Sequence, residues 1–281
     1  EVSERQAIEY LNGQSSQCPS CHASFDWWVT ACRAIERNFM RNQALAFIGA
    51  TTVSFQLALK PNEMLVYRYS DYGVPPDAKI LYVNFTCDNG GLHPAEMLGN
   101  LPASRVKNNE VYLHPITFPG TEAEGARETE LSVMVCWVPH SNGDDSWQSL
   151  VDAFDAYGES RYTVMIAPAN TAVESEMKRL LSAYLQKFIS TDPVRRFLSA
   201  AAYSHQLNVV MPLVAELNGL PVLPKTISGH LNRLRSLRND IAHAGVMEKP
   251  LSQSEAATLL CSALFGMQYV RHIKQRLGIS L

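Results

Sequence analysis

The stretch Leu231-Asn232-Arg233-Leu234-Arg235-Ser236-Leu237-Arg238-Asn239-Asp240-Ile241-Ala242-His243-Ala244-Gly245 carries the side chains best suited to chemistry. Arg238, Asn239 and His243, with Arg235 and Arg233 upstream, bring together an imidazole, an amide and several guanidinium groups. That set suits the cutting of RNA. The reaction needs a 2′-hydroxyl deprotonated, a phosphorane charge stabilised and a leaving 5′-oxygen protonated. An imidazole can make either proton transfer near neutral pH. Arginine is no base, but its planar donors match phosphate oxygens in pairs and hold charge where the transition state becomes anionic. Asn239 can orient the imidazole or donate to a phosphate, while Arg235 and Arg233 are candidates to bind RNA. No cluster of carboxylates stands nearby to hold Mg²⁺, which prefers oxygen ligands, so catalysis without a metal cofactor is expected.

Helical periodicity sorts this stretch into two stripes. Leu231, Leu234 and Ile241, with Leu237 beside them, form the apolar one, and Asn232, Arg235, Asn239 and His243 follow helical spacing on another side. Arg238 neighbours the polar stripe without lying directly below His243, because five helical residues rotate by about 140°. Spacing alone leaves a plainer alternative open. A basic stripe is also what a solvated helix face looks like, and a histidine near a helix C-terminus also answers the helix dipole.

Arg238-Asn239-Asp240-Ile241-Ala242-His243 resembles the Arg-x(4–6)-His signature of the HEPN superfamily, with a polar residue directly after the arginine as is common there. The earlier segment Ala167-Pro168-Ala169-Asn170-Thr171-Ala172-Val173-Glu174 resembles the Ala-rich, Glu-bearing helix near the start of many HEPN domains. The resemblance spans residues 146–281 and leaves the first half unassigned. It implies a bundle of four or five helices with the motif on a late helix. It also implies a homodimer, or a larger even assembly, paired across the motif so that two copies of His243 and Arg238 share one cleft. The activity implied is that of an endoribonuclease leaving 2′,3′-cyclic phosphate ends, of the kind found in prokaryotic toxins and antiviral effectors. A second reading is a non-catalytic HEPN-like module that dimerises, binds RNA or nucleotide and regulates. The presence of both Arg238 and His243 favours the enzyme, since a retired site could lose either.

The elements that must position these residues can be read from the texture of the chain, which changes twice. Residues 1–46 form a lead-in with a cysteine pair, two tryptophans and a helix expected over Trp27–Arg41, with Trp28, Ala31, Ile35 and Phe39 on one face. Trp27 and Trp28 read as core anchors. Residues 47–140 turn to strand signals at Val53–Leu57, Met64–Tyr69, Ile80–Phe85 and Leu131–Val138. Turns punctuate them at Pro61-Asn62, Gly73–Pro76, Asp88–Gly91 and Pro119-Gly120. A β-rich, sandwich-like domain follows from this pattern, serving as sensor or substrate selector. His93, His114 and His140 lie beside prolines in turn-like places. His140–Ser146 reads as a linker, and residues 146–281 as an antiparallel all-α bundle. Its helices are expected around Leu150–Tyr157, Glu174–Phe188, Pro193–Asn218 and Ser228–Ala244, with a last one opening at Ser252 or Ser254. The fold class is therefore two-domain α+β.

Bulk properties bound the function. An apolar fraction of 46% over 281 residues supports sizeable cores, and a formal charge of −3 excludes a protein that coats nucleic acid through overall basicity. No run reaches the roughly 18 apolar residues of a membrane span. No charged-then-apolar leader opens the chain, and the six scattered cysteines suit a reducing compartment, so a cytoplasmic protein is expected. Among them Cys18-Pro19-Ser20-Cys21-His22 has three open readings. It is half of a structural zinc site, to be completed by Cys32 and a distant histidine or by residues upstream; it is a pair of free thiols; or it is the attachment signature of a c-type haem.

Overall fold

The computed structural model describes residues 9–14, 16–18, 20–37, 50–87, 92–96, 110–117, 128–138, 146–244 and 249–279. The chain divides into two compact units, one of Glu1–Ile48 with Asp144–Leu281 and one of Gly49–Gly143. The first is mainly helical and the second is built of sheets, so the chain is of mixed α+β class. No described helix is long and apolar enough to cross a membrane.

Among the described residues the β unit holds six strands: β3 (Thr51–Leu59), β4 (Leu65–Arg68), β5 (Lys79–Cys87), β6 (Leu92–Glu96), β7 (Glu110–Thr117) and β8 (Thr129–Val138). They form two three-stranded antiparallel sheets in the orders β3-β8-β5 and β4-β7-β6. Alternation explains the sidedness. In β8, Leu131, Val133 and Val135 are buried while Glu130 and Ser132 are exposed, as a half-covered strand requires. Leu59, Tyr67, Tyr69, Leu92, Val111 and Leu113 join them, so both sheets share one core. The Leu92 amide donates to the buried Thr129 hydroxyl at 3.3 Å, tying β6 to β8. Two strands escaped the sequence reading because each contains a proline. Pro94 and Pro115 face each other across the β6–β7 pair. Alternate pairs of an antiparallel ladder exchange no hydrogen bonds, which is where two missing donors are tolerated. His93 and His114 accordingly lie in strands rather than turns. His140, the turns at Asp88–Gly91 and Pro119-Gly120, and most of the linker fall outside the described residues.

In the helical unit, a two-stranded hairpin of β1 (Ser16–Gln17) and β2 (Ser24–Phe25) precedes α1 (Trp27–Glu36). Asp26 caps α1 by accepting from the Val29 amide at 3.1 Å. The expected extension of this helix to Arg41, with Phe39, lies outside the described residues. The lead-in, set apart in sequence by its composition, packs as part of this unit. Trp27 and Trp28 both meet Phe265 edge-on, at 4.5 Å and 5.9 Å between ring centroids, burying the apolar face of α1.

The remaining helices are α2 (Ser146–Gly158), α3 (Tyr162–Leu185), α4 (Thr191–Ala200), α5 (Met211–Leu217), α6 (Lys225–Ala244) and α7 (Gln253–Arg276). α7 is buried on nearly every side from Ala256 to Val270, which marks it as the central element. Ser252 opens it through a reciprocal capping box with Glu255. The single helix expected over Pro193–Asn218 is broken instead. After α4 come a short turn at Tyr203–His205 and a π-helical turn at Gln206–Val210. Pro212 has no amide to offer the carbonyl one turn back, which widens the helix there. The Gln206 amide donates to the carbonyls of Leu198 and Ala201 at 2.9 and 2.8 Å, closing the end of α4 with a side chain.

Candidate functional site

α6 begins where Leu220-Pro221-Val222-Leu223-Pro224 ends and is held by its first half. Ile227, Leu231 and Leu234 are wholly buried. A close approach to α7 makes this fit: a Cβ added at Gly266 would stand 3.0 Å from Leu231 Cδ1 and 3.3 Å from Val173 Cγ1. Beyond Leu234 the anchoring fades. Leu237 and Ile241, expected in the apolar stripe, are half-buried, and no residue from Arg235 to His243 is buried.

The motif residues occupy this less enclosed half. Arg238 stands seven residues after Leu231, about 20° short of two full turns, so it continues the row that faces the core earlier in the helix. It is nevertheless exposed. Its Nη1 donates to Asn239 Oδ1 at 3.2 Å, and no carboxylate pairs with it among the described residues. His243 is exposed in the last turn of α6, with no side-chain hydrogen bond among the described residues. Asn239 is half-buried. Thus Asn239 is brought to Arg238, while no hydrogen bond between described residues joins Arg238 to His243.

The upstream arginines differ from each other. Arg233 Nη2 binds Glu255 Oε1 at 2.7 Å, so its guanidinium is engaged in joining α6 to α7. This ion pair, followed by the hydrogen bonds from Ser252, holds the Glu255 carboxyl down at about 2. Arg235 is half-buried near Tyr203, whose hydroxyl is pushed well above its ordinary value by burial and by Glu174, with Arg235 opposing the shift. Asn232 and Asn208 exchange side-chain hydrogen bonds at 3.0 and 3.1 Å, fastening α6 to the π-helical turn.

The sequence reading passed over a second polar cluster. Glu176 accepts from Ser146 Oγ at 2.9 Å, Arg179 Nη2 at 2.7 Å and Lys274 Nζ at 2.9 Å. Its signal was a carboxylate four residues before Leu180, in line with the apolar face of α3. The motif-like segment Ala167–Glu174 also lies in α3. There Ala169, Asn170, Ala172 and Val173 are buried, and Glu174 Oε1 accepts from Lys178 Nζ at 2.6 Å.

Cys18 and Cys21 sit on the turn of the β1–β2 hairpin. The Cys18 amide donates to the Ala23 carbonyl at 2.9 Å, the His22 amide to the Cys18 carbonyl at 2.8 Å, and His22 takes a left-handed φ of 55°. Hydrogen bonds from the backbone at Cys21 and Ser20, and then from the Cys21 thiol, draw the Cys18 thiol below its ordinary range. Two thiols facing each other beneath backbone donors suit two of the four ligands of a structural zinc. Cys32 is elsewhere, hydrogen-bonded to Cys261 under α1. Among the described residues no group of three or more histidine, cysteine or acidic side chains could hold a metal.

No family model, no curated protein and no solved structure matches this chain.

Proposed function

We propose that the helical unit is a metal-independent endoribonuclease of HEPN type, acting as a homodimer or larger even assembly. The observation that carries this reading is Arg238: a guanidinium on the row of α6 that begins as core, left exposed and without a carboxylate partner among the described residues. A cation so placed is available to a phosphate. His243 is exposed on the same stretch, and about 140° of helical rotation separates the two. A two-fold pair of α6 helices would supply each phosphate with groups from both chains and with two imidazoles, one to accept a proton and one to donate it. Asn239 would hold the Arg238 guanidinium, and Arg235 would widen the basic surface for RNA. The β unit would select the substrate or sense the trigger, in a toxin or antiviral effector. The Cys18–Cys21 turn would hold half of a structural zinc, completed by a second chain or by residues outside those described. Metal analysis of chain purified without chelator tests that last point, and finding no zinc would retire it.

The test of the activity is incubation with total RNA in excess EDTA, alongside the Arg238→Ala and His243→Ala chains. Cleavage by the unaltered chain alone supports the reading. Equal cleavage by all three, or none by any, overturns it.

A further inference from the structure

A cavity of ≈250 Å³ lies beside the first turns of α6, away from the motif. Its wall is mainly apolar, with Val173, Met177, Met211, Leu223 and Leu231 among the lining side chains. The polar groups come from Asn208, Ser228, Lys225 and Tyr269, and the Tyr269 hydroxyl donates to the Pro221 carbonyl at 3.0 Å. Asn208 is satisfied by its exchange with Asn232, and Ser228 Oγ donates to the Lys225 carbonyl at 3.2 Å. Lys225 is different. It is exposed, and its ammonium has no ion pair among the described residues.

The position of that ammonium matters. Lys225 is the first residue of α6, and the first turn of this helix contains no acidic side chain. A helix N-terminus already carries about half a unit of positive charge, so a cation there adds like to like unless an anion joins it. A positive site with no ion pair among the described residues therefore borders a mainly apolar cavity. The ligand complementary to both has an apolar body and an anionic head. Size narrows it further: at roughly 30 Å³ per water-sized group, the space holds a body of about eight such groups. The wide turn at Gln206–Val210 supplies Leu207 and Asn208 to the same wall, and such turns recur at binding sites.

We propose that this cavity binds a short straight-chain carboxylate of about eight carbons, with its alkyl chain among Met177, Met211 and Leu231 and its carboxylate at Lys225 and the first turn of α6. The proposal goes beyond the ribonuclease reading and does not depend on it.

Isothermal titration of the full chain with butanoate, hexanoate, octanoate, dodecanoate and octan-1-ol tests it, with melting temperature followed in parallel. Affinity should rise about fourfold per methylene up to octanoate, the factor expected for burying one CH₂, and rise no further by dodecanoate. Octanoate should raise the melting temperature. Lys225→Gln should weaken octanoate about tenfold, the scale of a lost charge-assisted hydrogen bond, and leave octan-1-ol unchanged. Val222→Trp, at the exposed part of the wall, should weaken both. The proposal is overturned if octanoate shows no saturable binding or lowers the melting temperature. It is equally overturned if Lys225→Gln or Val222→Trp leaves octanoate binding intact, or if octan-1-ol binds the unaltered chain as tightly as octanoate.

Discussion

Lys274 of α7 meets Glu176 of α3 at 2.9 Å, with side chains only 8% and 7% exposed. The two partners are not equivalent. Glu176 also accepts from Arg179 and Ser146, whereas the Lys274 ammonium has no second partner among the described residues. Removing the carboxylate strands a buried cation. Removing the amine leaves a carboxylate still held by an arginine and a hydroxyl. Breaking a buried pair from one side costs about 3–5 kcal/mol. Glu176→Leu should fall in that range, and Lys274→Met should cost clearly less. Urea unfolding of both variants checks the order, and the reverse order would show that Lys274 has another anchor.

Arg238→Ala and His243→Ala should each abolish RNA cleavage while leaving stability within about 0.5 kcal/mol, the usual span for exposed positions. Both side chains are exposed, and among the described residues the only side-chain hydrogen-bond partner of either is Asn239. Denaturant curves beside single-turnover cleavage separate the outcomes. Lost stability in both would make these residues structural, and retained cleavage in both would place the site elsewhere.

Cleavage should require a 2′-hydroxyl on the nucleotide 5′ of the cut. Without a metal to lower its pKa, water is a weak nucleophile at neutral pH. The 2′-hydroxyl already stands beside the phosphorus and gains the advantage of an intramolecular reaction. In the proposed reaction its oxygen would bond to phosphorus as one imidazole takes its proton, and the 5′-oxygen would leave with a proton from the other. The products would be a 2′,3′-cyclic phosphate and a 5′-hydroxyl. A substrate with one 2′-deoxy residue at a mapped site should resist there and nowhere else. A 5′-phosphate on the product would exclude this path.

The Glu255 carboxyl titrates at about 2 in the folded chain, held down first by Arg233 and then by Ser252. In the unfolded chain it returns to its ordinary value of 4.5. Its contribution to stability is therefore full above about pH 4.5 and declines as pH falls through that window toward about 2. Glu255→Gln should flatten this part of the stability–pH curve. NMR titration of the Glu255 carboxyl checks the cause, and a midpoint near 4.5 in the folded chain would remove it.

The legibility of the chain followed the strength of its periodic signals. α6 and α7 could be read from Leu231, Leu234 and Ser252 because apolar spacing and capping chemistry are local. β3 could be read from alternation, and β4, β5 and β8 from short runs rich in aromatic or branched residues. β6 and β7 could not, since Pro94 and Pro115 each argue against a strand, and that they face each other is visible only in the pairing. The break at Gln206 depends on a side chain reaching Leu198 and Ala201, which spacing does not encode. The motif residues were visible by type. The exposure of Arg238 and the engagement of Arg233 by Glu255 were not, because both depend on how α6 packs in the folded unit rather than on local spacing.

α6 behaves as a cantilever. It is clamped where Leu231 presses against Gly266, and none of its residues from Arg235 to His243 is buried. At 1.5 Å per residue, His243 stands about 18 Å beyond Leu231, so a tilt of about 3° at the clamp swings the imidazole by about 1 Å. A displacement of that size is enough to cost a positioned catalytic group about a hundredfold in rate. The methyl groups of Leu231 therefore act as the bearing of a pointer, and a change of volume at that joint would be felt first as lost aim at its tip.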